Sequence, residues 1–195
     1  MPVQYDIATS DKDLEQILRL QEVNHFSSIS ADEASRDGFV TVKHSIELLR
    51  QMNVAAPQIL AKDNDHVVGY ALVMLKSFQE MIPVLKPMFE RLASIDFLDK
   101  PITDYLFYVM GQICIAESHR GQGVFDSLYL KHKERNQNAF DLCVTSVSTR
   151  NQRSMRAHER VGFKKVNTFR DAYDEWTILV WDWEDGRRSN DHGPQ

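Results

Sequence analysis

Arg120, Gly121, Gln122 and Gly123 stand in a row between an apolar run ending at Ile115 and an amphipathic run starting near Val124. That order of residue types suits the holding of a phosphate. Glycines let the backbone come close to a ligand. The first N–H groups of a helix have no partners of their own, and the helix dipole favours an anion there. Arg120 adds a permanent charge in a planar fork that matches phosphate oxygens, although the same residue could be a plain surface cation. About thirty residues on, Asn151 to Val161 reads as a helix capped by Asn151 and stopped by Gly162, with Ser154 and His158 within it. Asn151 could serve as a helix cap, a ligand contact or both. Ser154 is either a surface hydroxyl or a site residue. His158 is either a structural imidazole or a proton-transfer group titrating near neutral pH.

These groups need a scaffold. Val3 to Ile7 reads as a first strand. Thr9 or Ser10 caps a helix whose apolar stripe runs through Leu14, Ile17 and Leu18 and fades near Asn24. Ser27 to Asp37 is polar and turn-rich, and His44 to Met52 gives a second helix. Gln58 to Lys62 and His66 to Met74 form an antiparallel hairpin about Asp63-Asn64-Asp65, with Gly69 marking a bulge or a close backbone approach. Between Lys76 and Thr103 a helix is expected from about Met81 to Ala93. This stretch is either a functional lid or binding element, or a cover for a sheet edge. Tyr105 to Ile115 is an almost unbroken apolar strand, hence central, with Gly111 as a bulge candidate. Helix Val124 to Asn136, strand Asp141 to Ser148, helix Asn151 to Val161 and strands Phe163 to Phe169 and Glu175 to Trp183 complete the order. The fold class is mixed α/β: one sheet of about seven strands with helices on both faces. Residues 1–183 read as one domain with a helical insertion near 77–103, and 184–195 as a disordered polar tail.

The bulk numbers fit. A chain of 195 residues, 43% hydrophobic and 26% charged, can bury one sizeable core. A net charge of −5 argues against nucleic acid or an anionic membrane surface as partner. The two cysteines, Cys114 and Cys143, sit in apolar runs without a partner at ligand spacing and read as buried thiols of a reducing compartment. The seven histidines are scattered, so no metal site is expected. No apolar run is long enough to span a bilayer, and the expected location is cytoplasmic.

At the two motifs the sequence resembles the GNAT acyltransferase superfamily. Arg120-Gly121-Gln122-Gly123-Val124-Phe125 is similar to the family's acyl-CoA signature R/Q-x-x-G-x-G/A, departing at Phe125. Asn151 to Phe163 is similar to its N-x-x-[SA]-x-x-x-[YHW]-x-x-x-G-F pattern. The resemblance implies a mostly antiparallel sheet whose fourth and fifth strands splay apart. It implies acetyl-CoA as co-substrate and transfer of the acetyl group to a primary amine, on a small molecule or a peptide N-terminus. Ile113, Cys114 and Ile115 would meet the pantetheine arm through the main chain. Arg120, Gly121, Gln122, Gly123, Val124 and Phe125 would take the pyrophosphate. Asn151, Ser154 and His158 would complete the cofactor contacts, with His158 or Ser154 as the acid for the departing thiolate. A backbone N–H near Ile115 would stabilise the oxyanion. The strand carries no carboxylate, so Glu117 and Tyr108 are the candidate bases. The acceptor would be framed by residues 27–52, the insertion and the last strands, with Asp37, Glu80, Asp96 and Asp104 nearby. The partners implied are acetyl-CoA and an amine acceptor, with room for a homodimer. The rival expectation is a catalytically silent acyl-CoA-binding sensor.

Overall fold

The structure is a computed structural model that describes residues 2–25, 27–28 and 40–183. The sheet strands are β1 (Gln4–Ile7), β2 (Ile59–Asp63), β3 (His66–Met74), β4 (Phe107–Ile115), β5 (Leu142–Ser148), β6 (Lys164–Arg170) and β7 (Glu175–Asp182). The helices are α1 (Asp11–Asn24), α2 (Ile46–Ala55), α3 (Lys86–Leu92), α4 (Val124–Asn136) and α5 (Gln152–Val161). The seven strands lie in the order β1-β2-β3-β4-β5-β7-β6. All neighbours are antiparallel except β4 and β5. Among the described residues no helix is long and apolar enough to cross a membrane. The expected tail at 184–195 and most of the expected loop at 27–37 lie outside the described residues.

Local chemistry sets the helix ends. Ser10 caps α1 by accepting from Asp13 N, Ser45 caps α2 through Leu48 N, and Asn151 caps α5 through Ser154 N. The second helix therefore starts at Ile46 rather than His44, where its cap ends. Gly162, at φ 117°, stops α5. The insertion departs from the expected long helix. Two 3-10 turns, Lys76–Met81 and Pro83–Leu85, precede α3, which starts only at Lys86. Pro87 sits in the first turn of α3, where its missing N–H costs nothing. Had the helix begun at Met81, Pro87 would lie in its interior and its ring would collide with the carbonyl one turn earlier. A two-residue ladder, Asp96–Phe97 with Lys100–Pro101, ends the insertion.

Two apolar layers sandwich the sheet. On one face α1, α2 and the insertion bring Leu14, Ile17, Leu49, Phe78, Phe89 and Leu92 against Tyr70, Leu72, Val109 and Val144. On the other, α4 and α5 bring Val124, Leu128, Tyr129 and Met155 against Ala71, Tyr108, Met110, Cys143 and Leu179. Arg91 of α3 donates to Asn167 Oδ1 on β6, so the insertion reaches across the sheet to its edge strand.

Of the three bulges in the sheet, two lie near the cleft and set which residues face which layer. Ala61 pairs with Gly69 but Lys62 with Val67, and α4 crosses close over this point. A Cβ on Gly69 would lie 3.3 Å from both Val124 and Leu128. On β4, Leu72 pairs with Gln112 and Val73 with Met110, so Gly111 is the extra residue. Before it, Val109 faces the α1 layer. After it, Cys114 does, because the extra residue shifts the alternation by one.

Two stability outcomes follow. Gly162→Ala puts a Cβ 2.7 Å from Trp181 Nε1 at a φ that side chains avoid. A loss of at least about 2 kcal/mol is expected in urea unfolding, and a midpoint equal to wild type would refute the packing. His44, His132 and His158 are each pushed down to about 4 by burial. The unfolded chain takes up a proton at each near pH 6.5, so stability falls as pH drops from 6.5 towards 4, by up to about 1.4 kcal/mol per pH unit for each. The urea midpoint should drop clearly between pH 7.5 and 5.5, and a flat midpoint over that interval counts against three neutral buried imidazoles.

Candidate active site

The parallel ladder between β4 and β5 lasts three residues. Phe107, Tyr108 and Val109 pair with Leu142, Cys143 and Val144, and there it ends. Beyond Val109, β4 stays paired with β3 but not with β5. Thr145 takes over at the point of parting, its hydroxyl donating to Met110 O at 3.0 Å. The gap opens onto a cleft of about 500 Å³ in front of α4, bordered by Ile113, Cys114, Ile115, the glycine turn and one face of α5.

The turn is built for close approach. Gly121 and Gly123 have φ of 74° and 80°, and a Cβ on either would meet nothing within 4 Å. They are glycine for their backbone angle, since there is room for a side chain. The N-terminus of α4 has no side-chain cap, unlike α1, α2 and α5. Its first backbone bond is Ser127 N to Gly123 O, so the amides of Val124, Phe125 and Asp126 come before the ladder begins. An anion fits such a place.

Arg120 is fixed rather than loose. Its Nε donates to Ile115 O and its Nη2 to Asn24 Oδ1 at 2.5 Å, tying the turn to β4 and to the end of α1. It still borders the cleft. Gln122 points elsewhere, donating to Ser118 O. Phe125, the departure from the glycine signature, packs its ring 5.0 Å from Tyr129 and 5.1 Å from His158, filling the α4–α5 interface. The sequence reading missed the arginines of α5. Arg153, Arg156 and Arg160 recur at helical spacing along the cleft wall, and Arg160 makes a fork to Asp126 at 2.6 and 3.2 Å. Their spacing of three and four was the available signal.

A smaller space of about 90 Å³ lies in the splay itself, between Met110–Ile113 and Thr145–Ser148, with Val40, Thr41 and Trp176 on its outer side. Val40, Ile113, Asn151 and Ser154 border both spaces, so the two meet there. Ser154 Oγ lies 3.3 Å from His158 Nδ1. His158 is 1% exposed and donates from Nδ1 to Ser154 O at 2.8 Å, which leaves Nε2 as a bare acceptor with no partner. Burial pushes its pKa down to about 4, so the ring is neutral at physiological pH.

Two of the four expected catalytic residues are not brought to the cleft. Tyr108 is fully buried where β4 and β5 are still paired, and its hydroxyl donates to His132 Nδ1. Glu117 is exposed in the 3-10 turn Glu117–His119 and borders neither space. Glu80, Asp96 and Asp104 of the insertion border neither space, and Asp37 lies outside the described residues. Burial pushes the thiols of Cys114 and Cys143 up to about 12, as suits inert side chains. Among the described residues no group of three or more His, Cys, Asp or Glu is placed to hold a metal ion.

No family model matches the chain, and no curated protein matches it by sequence. Solved structures do. A chain of the NatC complex bound to Gag peptide and CoA superposes with a TM-score of 0.63 at 13% identity, over 93% of this chain and 99% of that one. The ribosomal-protein-S18-alanine N-acetyltransferase from Escherichia coli gives 0.61 at 12%, over 93% and 94%. A GNAT-family acetyltransferase from Streptococcus agalactiae gives 0.61 at 13%, over 92% and 95%. Identities this low speak for architecture alone: the chain has the fold of the GNAT-family N-acetyltransferases.

Proposed function

We propose that the protein is an acetyltransferase that moves an acetyl group from acetyl-CoA directly to a primary amine. One observation carries this reading: β4 and β5 part after three residue pairs directly in front of an uncapped helix N-terminus. The slot offers unpaired β4 backbone to an extended arm carrying amides, and the helix end offers N–H groups to a diphosphate. The neighbouring structure with bound CoA supports the choice of ligand.

In this reading Ile113, Cys114 and Ile115 receive the pantetheine arm through main-chain groups, and the amides from Gly121 to Phe125 hold the pyrophosphate. Arg120 fixes the turn through Asn24 and Ile115. Arg156 and Arg160 face the remaining phosphate of the nucleotide. Bound acetyl-CoA supplies an activated thioester. The protein supplies proximity, bringing an amine into the 90 Å³ space beside it. Nitrogen attacks the carbonyl carbon, the C–S bond breaks, the amine loses one proton to water and the thiolate gains one. A backbone N–H of β4 stabilises the oxyanion. We assign the proton donor to the Ser154 hydroxyl. His158, neutral and already donating to Ser154 O, holds that turn of α5 and is not itself the acid.

A silent acyl-CoA-binding module is the second reading. It is favoured by the same neutral His158 and by the lack of a carboxylate at the splay among the described residues. Calorimetry with acetyl-CoA, followed by thiol-reagent detection of CoA release across small amines and peptide N-termini, separates the two. Binding with amine-dependent release supports the transferase. Binding with no release on any amine supports the module, and no binding overturns both.

Two substitutions test the roles. Arg156→Ala should weaken acetyl-CoA about tenfold, the loss of one charge-assisted contact, while leaving dephospho-CoA unaffected. Equal losses for both ligands would place Arg156 away from that phosphate. Ser154→Ala keeps the capping bond, which uses the backbone N–H. It should lower kcat about a hundredfold with acetyl-CoA affinity within about twofold of wild type. An unchanged kcat removes Ser154 from the chemistry.

A further inference from the structure

A buried amide pair lies behind the splay. Gln112, 7% exposed, follows the Gly111 bulge on β4 and borders the smaller space. Its Oε1 accepts from Gln21 Nε2 at 2.6 Å and from Tyr70 OH at 2.6 Å, and its Nε2 donates to Val42 O at 2.9 Å. Gln21, on α1, accepts at Oε1 from His44 N at 2.8 Å and also donates to His44 Nδ1 at 2.9 Å.

The orientation of both amides is forced. A backbone N–H can only donate, so His44 N fixes Gln21 Oε1, which turns Gln21 Nε2 towards Gln112. That fixes Gln112 Oε1 and leaves its Nε2 for the Val42 carbonyl. Among the described residues the segment Val40–His44 has no strand partner beyond the His25–Val40 bridge. It is held by Val40 N to Asn24 O, by His25 Nε2 at Thr41 O, by Gln112 at Val42, by the Lys43–Glu22 pair and by Gln21 at His44.

We propose that Gln112 and Gln21 are the positioning residues for the acceptor: their amides clamp the segment whose Val40 and Thr41 wall the small space beside the thioester. This rests on the acetyl-transfer reading above. The titratable groups around the clamp are Tyr70 on β3, Cys114 on β4 and His44 on the segment itself. Burial keeps all three neutral from pH 6 to 8.5. Arg120 acts on Cys114, His25 Nε2 meets Thr41 O of the segment at 3.3 Å, and Lys43 on the segment pairs with Glu22 of α1 at 2.9 Å.

Gln112→Leu removes both functions of the amide. Gln112→Glu keeps the shape, and only its protonated form can donate to Val42 O while accepting from Gln21 and Tyr70. Burial raises the pKa of such a carboxyl, so the protonated form gains as pH falls. Steady-state kinetics with the amine that wild type turns over best are run from pH 6 to 8.5. Hydrogen exchange at the His44 amide is followed in parallel. Acceptor KM should rise about tenfold in Gln112→Leu with acetyl-CoA KM within about twofold, and exchange at His44 should quicken. In Gln112→Glu the KM ratio to wild type should fall towards one as pH falls. If Gln112→Leu does not fold, this ratio alone decides. Unchanged acceptor KM, or a ratio constant with pH, overturns the clamp while an active wild type keeps the transferase reading. A wild type that releases no CoA on any amine overturns that reading and the clamp with it.

Discussion

Everything at the candidate site depends on where the β4–β5 ladder stops. Backbone N–H and C=O groups inside a protein need partners, so two strands cannot simply part. Here the parting is managed in three ways. Thr145 satisfies Met110 O from its side chain. The bulge at Gly111 bends β4 and shifts its alternation. The other edge of β4 stays laddered to β3 from Val109 to Ile115 except at the Gly111 bulge, so the strand keeps one neighbour while its other side is opened. In the proposed reading, the β4 edge left without β5 pairing next to the glycine turn is what would receive a ligand with its own amides and phosphates.

The bulge also explains how one strand serves two layers. Gln112 and Cys114 turn towards α1, while Ile113 and Ile115 turn towards α4. The α1 side carries a closed polar network, and the α4 side an aromatic cluster of Phe125, Tyr129, His158, Phe163 and Trp181. Both layers are neutral near the splay, since burial suppresses the charge of His44 and His158 alike. Charge lies outside these layers: Arg156 and the Arg160–Asp126 pair along α5 and α4, and the Arg150–Asp174 pair, whose carboxylate accepts from Ser148 Oγ.

Legibility in the sequence followed the range of the interactions. Gly123, Val124 and Asn136 bound α4 where glycine geometry and helical spacing put them, and Asn151 and Gly162 bound α5 by capping alone. Ile113 to Ile115, Arg120 and Ser154 reached the cleft because short motifs carried them. Tyr108 did not, because apolar runs do not reveal where a ladder ends. Gln21 and Gln112 are 91 positions apart, and nothing local marks two glutamines as partners. The insertion departs from the single expected helix because Pro83 opens a 3-10 turn while Pro87 sits in the first turn of a separate helix, α3.

The strand order has a consequence for how the chain is made. β7 lies between β5 and β6, although it is the last strand described. Along a chain synthesised from its N-terminus, β5 has no second neighbour until β7 has emerged. β6 cannot join the sheet before then, because among the described residues its only ladder is to β7. Until that moment the aromatic cluster also lacks Trp181 and Trp183. Between the completion of β5 at Ser148 and that of β7 at Asp182 the nascent chain therefore carries an open sheet edge and an aromatic cluster still short of two tryptophans. That is the state in which strands of two chains pair by mistake and holding chaperones bind.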